Sequence, residues 1–169
     1  MRIGVLGGTF DPVHAGHLKL ALAAFSQLNL NKVVFVPSRQ NPLKPKAPAT
    51  PSAVRVRLLR SAIWSYPFFE VSGCELRRKG RSFTVDTLKY FKRKHGSRAV
   101  LYFLAGADTA RDLRRWRSFD RIRKLSRFVV ATRPGFRAAR LPAGVLSMPF
   151  DALDVSSTRI RRSSSKDRR

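Results

Sequence analysis

The run Gly7-Gly8-Thr9-Phe10-Asp11-Pro12-Val13-His14-Ala15-Gly16-His17 gathers glycines, a hydroxyl and two imidazoles into one short stretch. Paired glycines let an anion approach the backbone closely, and a helix opening after them supplies free N–H groups and a partial positive charge. The run has neither the G-x-G-x-x-G spacing of dinucleotide folds nor the Gly-Lys-Ser/Thr ending of a P-loop. It is a phosphate-loop candidate of another kind. His14 and His17 stand three apart, which puts them on one face of a first helical turn, able to hydrogen-bond one group. The alternatives are a metal pair or two surface histidines. Zinc needs three or four ligands, and the other candidates, Cys74 and His95, are far off in sequence, so no metal site is expected.

These residues need elements to hold them. Ile3 to Leu6 is a short apolar run that predicts a buried strand, ended by Gly7-Gly8. Leu18, Leu22, Phe25 and Leu28 recur at helical steps and predict a helix over about 16–28. Val33 to Val36 reads as a second strand, and five prolines over residues 37–51 make a long loop of a kind that is usually functional or disordered. A helix opens at Ser52 and carries Val56, Leu59, Ile63 and Trp64 on its apolar side. Further strands are expected at 68–71, 99–104, 128–131 and 145–148. Further helices are expected at 82–91, from Asp108 to about Arg115, at 120–125, and after Val155-Ser156-Ser157-Thr158. This alternation predicts an α/β fold with a doubly wound, mostly parallel sheet. Ligands of such sheets bind beyond the carboxyl ends of the strands, where residues 7–17, 37–46 and 105–108 fall.

The length of 169 residues suits one domain. Residues 1–162 are read as that domain, and residues 163–169 as a basic tail expected to fray. A single cysteine excludes an internal disulfide and suits a reducing cytoplasm. The longest strongly apolar run, Ala99 to Ala107, is far shorter than the ~20 residues that span a bilayer. The opening residues, with Asp11 and His14 close behind Met1-Arg2, do not read as a signal peptide. Thirty-five Lys and Arg face ten Asp and Glu, a net charge of +25. Most basic groups must therefore meet water, anions or a polyanion. A nucleotide site accounts for part of the excess, and a nucleic-acid partner is the remaining possibility.

The GGTFDPVHAGH run resembles the N-terminal motif of the HxGH nucleotidyltransferases, with the pair written His14-Ala15-Gly16-His17. Within that superfamily the sequence is most similar to the bacterial nicotinate-nucleotide adenylyltransferases. Ser82-Phe83-Thr84-Val85-Asp86-Thr87-Leu88 resembles their S-Y-T-x-D-T-L segment, and Gly106-Ala107-Asp108 their G-A-D turn, with Trp116 eight residues on. Arg133-Pro134-Gly135-Phe136 resembles R-P-G-Y/F, and Val155 to Arg161 resembles I-S-S-T-x-I-R. Five motifs in the right order cover nearly the whole chain.

The resemblance implies a Rossmann-like nucleotidyltransferase fold and transfer of AMP from ATP to nicotinate mononucleotide. It implies catalytic roles for His14 and His17, which with Gly8, Thr9 and Phe10 would meet the ATP phosphates. Lys44, Ser156, Thr158 and Arg161 would hold the β- and γ-phosphates, and Asp108 a ribose hydroxyl. Trp116 would stack on the nicotinate ring, Thr84 would receive its carboxylate, and Arg133 would approach a substrate phosphate. Mg²⁺ would arrive with ATP. Each of three residues also has a plainer reading: Trp116 as core, Thr84 and Asp108 as helix caps. Where relatives read P-P-H-K/R, this chain has Asn41-Pro42-Leu43-Lys44, so an imidazole is missing. The competing expectations are a pantetheine-phosphate adenylyltransferase-like transfer, and a basic nucleic-acid-binding protein without catalysis.

Overall fold

Val5 and Leu6 are neighbours in one strand, yet they belong to opposite cores. A computed structural model describes residues 1–43, 47–106, 113–132, 141–151, 157–158 and 160–161. Lys44, Asp108, Arg133 and Ser156, all but residues 113–115 of the helix expected from Asp108 to about Arg115, and the tail at 163–169 lie outside them. Six strands form one sheet: β1 (Arg2–Gly8), β2 (Lys32–Pro37), β3 (Phe69–Val71), β4 (Val100–Gly106), β5 (Arg127–Thr132) and β6 (Val145–Pro149). Their order is β3-β2-β1-β4-β5-β6, and every pairing is parallel.

Such a sheet needs cover on both faces. One face packs Ile3, Val5, Val36, Phe103 and Phe128 under α3 (Thr84–His95) and α4 (Phe119–Leu125). The other packs Leu6, Val33, Phe35, Leu104 and Val129 under α1 (Ala15–Gln27) and α2 (Ser52–Ile63). The doubly wound α/β expectation therefore holds. The chain runs outward from β1 on one side and from β4 on the other, so the switch point lies between those two strands. The crevice for a ligand opens above their carboxyl ends.

Boundaries moved where a local interaction outweighed periodicity. The helix expected at 82–91 runs from Thr84 to His95. Ser82 is drawn into the loop after β2: its N–H donates to the Gln40 carbonyl and its hydroxyl accepts from the Arg39 N–H. At the far end Lys92 to His95 extend the helix until Gly96, whose φ of 77° only glycine adopts freely. Trp64, expected on the apolar side of α2, is the helix C-cap and is 88% exposed. The buried stripe of α2 consists instead of Arg55, Leu59 and Ile63. After β4 the described residues resume with a 3₁₀ turn, Leu113–Arg115.

Candidate active site

The chain leaves β1 at Gly8 and turns within a few residues into α1. Phe10 makes the turn with φ of 48°, a region bulky residues rarely enter. Its ring folds back over the strand end, 1% exposed, against Phe35 and edge-on to His17 at 4.9 Å. A Cβ on Gly8 would lie 2.9 Å from that ring. Packing therefore demands glycine at position 8, a reason invisible in the sequence. Gly7 is under less constraint, with a Cβ position in ordinary contact with Phe103.

His14 is the N-cap of α1, and its backbone N–H donates to His17 Nδ1 at 3.3 Å. As an acceptor Nδ1 carries no proton, so the proton of that imidazole belongs on Nε2. The two rings lie 3.8 Å apart between centroids, on one face of the first turn as their spacing predicts. Burial pushes the His14 pKa below its ordinary value. Its Nδ1 and the Thr9 hydroxyl are buried without a hydrogen-bond partner among the described residues. Buried polar atoms normally have partners, so an orphan at the helix N-terminus and another in the loop that leads into it suit a polar ligand.

The C-terminal motif reaches this loop from far along the chain. Ser157 donates its hydroxyl to the Pro12 carbonyl at 2.8 Å, and Arg161 donates to the Asp11 carbonyl and to Thr158 Oγ1. Asp11 accepts the Ala49 N–H at 2.9 Å. Burial raises its pKa, but the Thr50 hydroxyl, the Ala49 and Thr50 amides and Arg161 outweigh that and hold the carboxyl below its ordinary value. The structure thus brings Gly8, Thr9, Phe10, His14, His17, Thr158 and Arg161 to one loop.

A second group lies towards α3. Trp116 is partly buried, edge-on to Phe103 and Phe128 at 5.5 Å each, with its indole N–H unpartnered among the described residues. Thr84 is the first residue of α3, with Phe83 as N-cap. The Arg117 guanidinium sits 4.8 Å from the Phe83 ring centroid, which draws the neighbours of Trp116 and Thr84 together. Phe103 lies between the two groups: its ring stands where a Cβ on Gly7 would meet it, and it packs edge-on against Trp116.

Sequence reasoning missed Arg55, which is 2% exposed and bonded to three loop carbonyls. A signal existed: positions 55, 59 and 63 share one face at four-residue steps, but a charged side chain there reads as solvent-facing. Among the described residues no three His, Cys, Asp or Glu side chains gather to hold a metal. No helix among them is long and apolar enough to cross a membrane.

Comparison with known proteins bears on this geometry. The cytidylyltransferase-like family model matches residues 5–163. A probable nicotinate-nucleotide adenylyltransferase of Moorella thermoacetica is 41% identical, covering 95% of this chain and 79% of its own. One from a Thermoanaerobacter species is 43% identical, covering 95% and 82%. Among solved structures, the nicotinic acid mononucleotide adenylyltransferase of Plasmodium falciparum complexed with NaAD superposes with a TM-score of 0.74 at 22% identity, over 95% of this chain and 82% of that one. That likeness concerns the fold. With its HxGH loop and its C-terminal motif meeting over β1, and with these sequence relatives, the chain belongs to the nicotinate-nucleotide adenylyltransferases of the cytidylyltransferase-like family.

Proposed function

We propose that the enzyme transfers AMP from ATP to the 5′-phosphate of nicotinate mononucleotide, forming nicotinate adenine dinucleotide and pyrophosphate for NAD biosynthesis. An oxygen of the acceptor's 5′-phosphate attacks the α-phosphorus of ATP. The bond from that phosphorus to the bridging oxygen breaks, and pyrophosphate leaves with its electron pair. The protein supplies no nucleophile in such a displacement; it positions the reactants and stabilises charge. A divalent cation accompanies the nucleotide, and we take it to be Mg²⁺.

The observation that carries this reading is the helix N-terminus with its neighbouring imidazoles and the unpartnered buried Nδ1 of His14, entered from a loop whose Thr9 hydroxyl is also buried and unpartnered. A phosphate at the helix N-terminus would give His14 Nδ1 its partner. The Nε2 proton of His17, the opening N–H groups of α1 and the Thr9 and Phe10 amides would meet charge developing at the α-phosphate. Thr158 and Arg161 lie at the same loop, and we assign them, with Lys44 and Ser156, to the β- and γ-phosphates. Trp116, Thr84 and Arg133 are assigned to the nicotinate nucleotide, and Asp108 to a ribose. Cys74, buried and free, fits a reducing cytoplasm, where we place the reaction.

The test is pyrophosphate release from MgATP with nicotinate mononucleotide, nicotinamide mononucleotide or phosphopantetheine as acceptor. Fastest turnover with nicotinate mononucleotide is expected. Turnover with phosphopantetheine alone would overturn the reading.

A further inference from the structure

The carbonyls of the β1–α1 loop are taken up from outside. The Gly8 carbonyl accepts the Ser38 N–H at 2.8 Å, and the Thr9 carbonyl accepts Arg55 Nη1 at 2.5 Å. Those of Asp11 and Pro12 accept Arg161 and Ser157. In a planar trans peptide the C=O of one residue and the N–H of the next point to opposite sides. Holding the Gly8 and Thr9 carbonyls therefore aims the Thr9 and Phe10 N–H groups the other way. Neither amide donates to a partner among the described residues.

Arg55 is built for this task. It reaches inward from the first turn of α2, 2% exposed, and its guanidinium also donates to the Thr50 carbonyl at 3.1 Å through Nε and to the Ser38 carbonyl at 3.0 Å through Nη2. One planar fork thus ties the loop after β1, the loop after β2 and the segment leading into α2. A lysine ammonium is a point donor and cannot reproduce that geometry. Burial opposes the charge of Arg55, and Asp11 offsets that in part. A buried cation whose described hydrogen bonds all go to backbone carbonyls is holding the backbone. The peptide it holds leads into Phe10, whose φ of 48° needs support from its surroundings.

We propose that Arg55 is a positioning residue for adenylyl transfer: through the Thr9 carbonyl it fixes the Thr9–Phe10 peptide so that the Phe10 amide faces the phosphates, and through the Ser38 carbonyl it steadies the residue whose N–H holds the Gly8 carbonyl and so aims the Thr9 amide. This rests on the reading of the loop as the phosphate site. It acts through the backbone and touches no substrate.

The experiment compares wild type, Arg55→Lys and Leu59→Ala, a cavity variant on the same helix that serves as a stability control. Melting temperature, kcat and KM for ATP and the acceptor, and the ¹⁵N–¹H resonances of Thr9 and Phe10 are recorded for each. Arg55→Lys is expected to lose about 10²-fold in kcat, the scale of losing one charge-stabilising donor. The acceptor KM should move little, and the Phe10 amide should shift. Leu59→Ala, at an equal or larger loss of melting temperature, should keep its kcat and its Phe10 resonance. Equal kcat in the two variants, or an unmoved Phe10 amide in Arg55→Lys, overturns the proposal. Should Arg55→Lys fail to fold, titration of wild type with pyrophosphate decides: the Thr9 and Phe10 amides must shift, and if they do not the proposal falls. Wild type inactive with every acceptor would overturn the functional reading instead, and the amide shifts would then judge Arg55 alone.

Discussion

His14 is a half-buried imidazole whose proton affinity falls on folding. The unfolded chain then binds a proton that the folded one refuses, so stability drops as pH falls through the ordinary histidine value of 6.5. His95 adds the same sign, pushed down by burial and by Lys32 and Lys94. We expect His14→Asn to flatten the dependence of melting temperature on pH below 6.5 and to leave a residual slope from His95. An unchanged slope would show that His14 is not the titrating group. Asp11 works in the other part of the range. Its carboxyl lies below the ordinary 3.8, so its contribution is present above that value and disappears as pH falls through the folded pKa. The histidine pair was legible because its spacing and its glycine-rich neighbourhood both point to an anion. Arg55 was not, because sequence patterns assign charge to solvent and only the fold reveals three carbonyls waiting for one guanidinium.

The β1–α1 unit is where elements become a site. β1 delivers Gly8 beneath the Phe10 ring, and α1 starts with its free amides beside both imidazoles. Gly8→Ala would put a methyl 2.9 Å from that ring. Overpacking of this kind costs about 1–3 kcal/mol, readable by urea denaturation, and kcat should fall with it because the loop must move. Unchanged stability and rate would mean that the ring has room to shift. All six strands were legible as apolar runs between turn residues, to within a few residues at their ends. Helix ends were less so. Ser82 fell outside its expected helix because tertiary hydrogen bonds claimed it, and Trp64, the C-cap of α2, stands in solvent while Arg55 joins the buried stripe. Neither is local to the sequence.

At the scale of the molecule, parallel pairing and order β3-β2-β1-β4-β5-β6 place the β1 loop beside the switch point and leave chemistry to the loops. The charge of +25 is a property of the whole surface. Ion pairs such as Lys19–Asp151 and Arg123–Asp120 are exposed and contribute little. Binding to duplex DNA is therefore expected at low salt and should fall steeply with log salt, leaving none of functional strength at physiological ionic strength. Binding that survives there with a defined site size would reveal a nucleic-acid partner. The central claim is that the Gly8–His17 loop performs adenylyl transfer, and the direct measurement is pyrophosphate release from MgATP and nicotinate mononucleotide by wild type and His17→Ala. We predict turnover by wild type and a loss of roughly 10²–10³ in kcat in the folded variant. Equal rates in the two proteins would contradict the account.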